Sequence, residues 1–349
     1  MREVDLIKLI KNELVRDHHP AARRLPTFYP SSASAKLPTG EVLGGCWRSA
    51  WYRVNGVEKT NKREFYIAMI HELGNAVERT VVEAMKKIGI YEHAGVKFYD
   101  PLYNVSGELD VVGRYRKPDL TIGYYGVEVK SVYGIGATLS ITGRSRAYRG
   151  QPPVDPKPKD QNLMQTMIYI DQFKPSGDSK FALEGFKLLY FPRDKPNDGR
   201  SYDVTLVSVE ELRADTSSAM NSTLLLTYGD LMVPGERYAL IETKDYTPYI
   251  ETRFSIEAIY RRFKEQKEIF ESGEVPDRPF QKFYTGDRIE EMWSQGKISK
   301  TDYQKWSKGH KRLGHFLCQS YCDYRDHCYT PTGIPRPEAD TPPLVQIEN

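Results

Sequence analysis

Apolar and polar positions repeat along this chain with two different periods. Their changeovers mark out helical and extended stretches. From 62 to 88 the apolar residues Phe65, Ile67, Met69, Ile70, Leu73, Val77, Val81 and Met85 recur mostly three or four apart. That spacing predicts a long amphipathic helix, and Gly89 is its stop. The texture then changes. Stretches 95–99, 107–115 and 120–132 are rich in Val, Ile and Tyr and broken by Gly and Pro, which predicts a strand meander. Residues 134–160 read as a glycine-, arginine- and proline-rich loop, and 159–173 as a second helix. Stretches 187–191 and 204–209, with part of 236–250, read as further strands. A helix with a basic face is predicted at 255–272. Ahead of this core, 1–20 reads as a helix ending near Pro20, 21–45 as an irregular arm, and 46–54 as a renewed periodic pattern. The tail from Glu274 is punctuated by proline and ends in cysteines. There is no internal repeat. The order helix, meander, helix, strand predicts an α/β fold with helical decoration.

Composition narrows this picture only a little. The chain has 349 residues, 28% of them charged, and a net charge of +3, a balance that permits a nucleic-acid partner without demanding one. No run of about 18 apolar residues is present, so no membrane span is expected. The start, charged and amphipathic, lacks the apolar core of a secretory signal, and a cytoplasmic location is the expectation. The 24 tyrosines suit half-buried packing before they suit base stacking.

The candidate chemistry centres on Gly126–Ser131, which reads G-V-E-V-K-S. On a strand, Glu128 and Lys130 project to one face while Val127 and Val129 face the other. An isolated E-x-K is also what the solvated side of an edge strand looks like. Upstream, Asp110 sits on the neighbouring predicted strand, and a hairpin would bring it to Glu128. Two converging carboxylates repel unless a cation lies between them. Oxygen ligands of that kind suit Mg²⁺ or Mn²⁺, and a lysine beside them can stabilise charge on a phosphate. On the first long helix, His71 and Glu78 lie seven residues apart on one face, with Gly74 offering a close approach to the sheet. On the second, Gln165 and Tyr169 share a face. Pro118-Asp119 ahead of E-V-K makes Asp119 a rival to Asp110.

In order, these pieces are G-x-x-x-E (Gly74 to Glu78), G-x-x-D (Gly107 to Asp110), E-x-K (Glu128 to Lys130) and Q-x-x-x-Y (Gln165 to Tyr169). Together they resemble the RecB-type branch of the PD-(D/E)xK nucleases, notably its CRISPR-associated and phage exonucleases. The resemblance spans roughly residues 46–191 and the cysteine tail. It implies a restriction-endonuclease-like α/β core, a mixed central sheet flanked by helices. It also implies Mg²⁺ or Mn²⁺ held by Glu78, Asp110, Glu128 and the Val129 carbonyl, with Lys130 as the catalytic lysine. Gln165 and Tyr169 would support the site or contact DNA. Many members of the branch carry His where Glu78 stands, so His71 is the reserve helix ligand.

The four cysteines are Cys46, Cys318, Cys322 and Cys328. A reducing compartment disfavours disulfides, and four clustered thiolates suit zinc or an iron–sulfur cluster. The resemblance implies a [4Fe–4S] cluster, zinc being the alternative, with His315 and His327 as spare ligands. The tail departs from the branch's usual C-x-x-C by one extra residue, and 280–317 is an additional piece. The expected organisation is an N-terminal arm (1–61) with the first cysteine, a nuclease core (62–250), and a helical region (251–349) with the other three. The metal cluster would join the two ends.

For DNA contact the candidates are Arg144, Arg146, Arg149, Lys157 and Lys159 just after the E-x-K strand. Arg261, Arg262, Lys264 and Lys267 on the later helix are the second set. No base-reading module is present. The expectation is therefore a DNA exonuclease acting on single strands or duplex ends in a bacterial, archaeal or phage-infected cell. Replication, recombination or CRISPR-adaptation proteins are its possible partners. The alternatives are a structure-specific endonuclease of the same fold or a non-catalytic DNA-binding partner.

Overall fold

A computed structural model describes residues 27–61, 65–143, 155–174, 181–215 and 217–337. In chain order its main elements are strands β1 (Ser34–Lys36) and β2 (Val42–Gly44), helices α1 (Trp47–Val54) and α2 (Phe65–Lys87), and strands β3 (Tyr91–Asp100), β4 (Val105–Arg116) and β5 (Ile122–Val132). Helices α3 (Ile135–Thr142) and α4 (Asp160–Gln172) precede β6 (Leu183–Pro192) and β7 (Arg200–Ser208). Helices α5 (Val209–Ala214) and α6 (Ala219–Tyr228) then lead to β8 (Arg237–Glu242) and β9 (Tyr249–Glu251). The helices α7 (Ile256–Ser272), α8 (Gly286–Ser294), α9 (Lys300–Ser307) and α10 (Arg325–Cys328) follow. The chain divides into two compact units. One is formed by Thr27–Gly45 with Ile67–Glu265, the other by Cys46–Tyr66 with the described part of Gln266–Asn349.

The larger unit is an α/β layer structure. Its sheet has seven strands in the order β3-β4-β5-β6-β7-β8-β9. Every pairing is antiparallel except β5 with β6, so the sheet is mixed. The parallel pair exists because α3 and α4 carry the chain across between those strands. On one face, Val77, Val81 and Met85 of α2 pack against Val111, Val127 and Val129. These are the predicted three-and-four spacing and the predicted odd-numbered strand positions. On the other, Tyr169 and Phe173 of α4 close over Leu109, Val112 and Phe186. The far end of the sheet is covered by Val209, Leu212 and Leu224 packed on Tyr238, Leu240 and Ile250.

Several expectations are adjusted. Helix α2 ends as predicted, because Gly89 takes φ +76°. Its N–H donates to Lys86 O while Ile90 N–H donates to Met85 O, the double closure that favours glycine. Leu73, counted in the apolar stripe, is nonetheless 47% exposed. The stretch read wholly as loop, 134–160, contains α3. Gly134 and Gly143 bracket it at φ +92° and +74°, and Ile141 is buried, so these glycines cap a helix. The arm at 21–45 carries the β1–β2 hairpin, with Phe28 bridging in parallel to Val105. Helices α5 and α6 had no predicted counterpart, while α8, α9 and α10 fall in the helical region expected at 251–349 without having been placed individually. The helix expected at 1–20 lies outside the described residues.

In the smaller unit, α1 and the tail are tied together by polar links. Lys59 pairs with Asp323 at 2.7 Å, Asn61 Nδ2 donates to Asp326 at 3.2 Å, and Arg48 donates to Pro276 O at 2.9 Å. The Tyr52 ring lies tilted against both Tyr324, at 5.6 Å, and His327, at 5.5 Å.

Candidate metal and nuclease site

The β4–β5 ladder runs in register to Val111↔Val127. Beyond it, Val129 N–H donates to the Asp110 carboxylate (Oδ2, 2.9 Å). The same register, continued, sets Asp110 opposite Glu128, which is the convergence the hairpin predicted. Asp119 is excluded from this group. It sits exposed in the β4–β5 turn, and its carboxylate is occupied by the Thr121 N–H (3.0 Å) and hydroxyl (2.7 Å).

Glu128 is 1% exposed. Its Oε1 accepts from Lys130 Nζ and from Gln165 Nε2 at 2.7 Å. Its Oε2 is buried and, among the described residues, has no hydrogen-bond partner. Burial pushes this carboxyl up to about 8, with Lys130 opposing and Asp110 reinforcing. Burial raises Asp110 as well, against the pull of Lys130. Burial alone would lower Lys130, but Glu128 and Asp110 together hold its ammonium above the usual lysine value. Glu78, half-buried on α2, is raised by burial and by Asp110. The three acids therefore feel one another, and Lys130 is their shared counter-charge. His71, the reserve candidate, is exposed. Gly74 is not sterically required, since a β-carbon there would lie 3.5 Å from Ser131 Oγ, an ordinary contact.

Gln165 and Tyr169 are tied to Glu128 by hydrogen bonds. Both are buried, at 7% and 2% exposure. Gln165 Nε2 reaches Glu128 and the Tyr169 hydroxyl (3.1 Å), and that hydroxyl donates to Glu108 O at 2.9 Å. This chain fixes Glu128 from below and leaves neither side chain a surface for DNA. Tyr190 and Asn162 were missed by the sequence reading. Tyr190 pairs in register with Lys130, and its hydroxyl accepts from Asn162 Nδ2 at 2.9 Å and Lys159 N–H at 3.1 Å. Asn162 lies one turn before Gln165 on α4, and that spacing could have revealed it.

The four cysteines converge. All four line one small pocket of the smaller unit, and Arg48, Arg278 and Arg325 share its wall. Cys46 caps α1, Cys318 lies in a π-turn at Leu317–Tyr321, Cys322 follows that turn, and Cys328 ends α10. Burial pushes the Cys318 thiol to about 12 and Cys322 to about 11, and the neighbouring thiols add to both. Arg48 and Arg278 pull Cys328 the other way, though burial wins. Among the described residues, no three His, Cys, Asp or Glu side chains, whether these thiols or Glu78, Asp110 and Glu128, are grouped closely enough to enclose a single metal ion.

Of the proposed DNA contacts, Arg144, Arg146 and Arg149 lie outside the described residues. Lys157 is exposed beside the Tyr249 ring. On α7, Arg261 pairs with Glu236 and Arg262 with Glu265, each at 2.7 Å, so much of that basic face is neutralised.

No protein-family model matches the chain, and no curated protein matches it. A solved crystal structure, that of SSO0001, aligns at 14% identity with a TM-score of 0.32, covering 58% of this chain and 78% of that one. Similarity at that level is too low to transfer a fold or a function.

Proposed function

We propose that the chain is a metal-dependent DNA nuclease with a restriction-endonuclease-like core, in which Asp110 and Glu128 hold Mg²⁺ or Mn²⁺ beside Lys130. The observation that carries this is the buried, partnerless Glu128 Oε2. A carboxylate oxygen removed from water without a donor is costly. The acids around it make a divalent cation the fitting partner. Glu78 on α2, whose carboxyl is raised in part by Asp110, is the further oxygen donor proposed; hard oxygen donors of this kind suit Mg²⁺ and Mn²⁺. A bound cation supplies Lewis acidity and neutralises charge on the attacked phosphate.

The chain's own residues do the rest. Lys130, whose side chain is 25% exposed, would offer a hydrogen-bond donor to a phosphate oxygen. Its charge is worth most there, where water is partly excluded. Gln165 and Tyr169 hold Glu128 in one rotamer. For the cysteine pocket we favour an iron–sulfur cluster over zinc. Arg48, Arg278 and Arg325 in its wall would balance the cluster's negative charge. We assign the protein to exonucleolytic processing of single strands or DNA ends. Digestion of end-labelled linear and circular single-stranded DNA, with Mn²⁺ and then with EDTA, tests this. Linear DNA is expected to be degraded from an end only with metal. Cutting of circles would make it an endonuclease, and no cutting of either would reject the reading.

A further inference from the structure

The segment 297–312 holds six Lys or Arg residues against one Asp, a net +5, whereas the whole chain carries +3. Without it the remainder would be net negative by two. This one short stretch of the smaller unit thus carries more than the chain's net positive charge, and it belongs to the α8–α9 helical hairpin and its exit.

The hairpin is a built element. Gly296 turns the chain at φ +68°, and Ser299 caps α9 by accepting from Asp302 N–H at 3.1 Å. The Trp293 and Tyr303 rings stack at 4.6 Å, the Tyr303 hydroxyl donates to Glu290, and Trp306 lies 5.6 Å from Tyr303. These aromatics occupy one side of α9. At about 100° per residue, Lys300, Gln304 and Lys308 line up on the opposite side, with Thr301 and Lys305 beside them. All five are exposed. The one acid, Asp302, is held by Lys311 at 2.5 Å. Lys300, Lys305 and Lys308 form no ion pair among the described residues. The outward face is therefore cationic and hydrogen-bonding, with its apolar residues turned into the hairpin. It lacks the apolar side that a membrane-surface helix inserts.

We propose that the α8–α9 hairpin is a sequence-independent tether for the phosphate backbone of a nucleic acid. The choice of nucleic acid over another polyanion rests on the nuclease reading above. Phosphate neutralisation by lysines releases counterions and makes binding salt-dependent.

The test measures binding of full-length protein to a fluorescein-labelled oligothymidylate by anisotropy across a salt series. EDTA is included so that cleavage plays no part. K300Q/K305Q/K308Q is expected to bind about tenfold or more weakly at low salt, with the slope of log K against log salt reduced by about two, at roughly 0.7 per phosphate contact. K300R/K305R/K308R is expected to bind like wild type. Equal affinity and slope in the glutamine variant would overturn the proposal. So would a wild type that binds phosphatidylserine vesicles in preference to the oligonucleotide. A wild type that binds through these lysines but cuts no DNA would instead reject the nuclease reading and leave the tether standing.

Discussion

Glu128 combines three properties that an edge-strand carboxylate would not have. It is buried, it shares a lysine with another acid, and one of its oxygens lacks a partner. A raised carboxyl has a stability consequence with a definite sign. Its folded value, about 8, lies above the unfolded one. Its contribution is therefore complete below about pH 4.5 and is lost as pH rises through about 8. Metal-free E128Q should lack this loss, so its stability relative to wild type should climb across that window in denaturation curves at several pH values. Metal reverses the logic, because a cation that binds only the folded state stabilises it. Mn²⁺ should raise the Tm of wild type more than that of E128Q. Gln165 acts through Glu128, so Gln165→Ala should weaken Mn²⁺ binding about 10–100-fold in calorimetry, with little change in DNA affinity. The sequence made Glu128, Lys130 and Asp110 legible because strand alternation fixes which residues share a face. It could not separate Asp110 from Asp119, since that depends on where the β4–β5 turn falls. The turn lies at 117–121, with Leu120 at φ +68°, and spends Asp119 on its own closure.

At the level of elements, periodicity located the strands of the sheet and the helices α2, α4 and α7. It failed where glycine or short length masked a helix, as in α3, or where polar residues dominated, as in α8 and α9. Two glycines of the motifs behave differently. At Gly107 a β-carbon would meet the Phe98 ring at 2.5 Å and Pro30 at 2.9 Å, so Gly107→Ala should cost about 1–3 kcal/mol by overpacking. At Gly74 the space is ordinary, and Gly74→Ala should be neutral or stabilise by up to about 1 kcal/mol through helix propensity. Urea denaturation of the two variants checks both signs. A motif glycine thus reflects a packing demand in one case and not in the other, a difference visible only once Phe98 and Pro30 are brought in from distant positions.

At the scale of the molecule, the smaller unit draws Cys46 and the tail cysteines, more than 270 positions apart in sequence, onto one cavity. Clustering in the tail was legible; the arginines in the cavity wall and the π-turn were not, because neither has a sequence period. Cys322→Ser should yield protein with reduced iron and visible absorbance, together with a lower Tm. A colourless wild type containing stoichiometric zinc would assign the cavity to zinc instead. The central claim rests in the larger unit, and it is tested most directly by the cleavage rate of Lys130→Ala on end-labelled single-stranded DNA with Mn²⁺. The variant should cut at least about 100-fold more slowly than wild type while binding the same DNA equally well in EDTA; cleavage at the wild-type rate would contradict the assignment of the site.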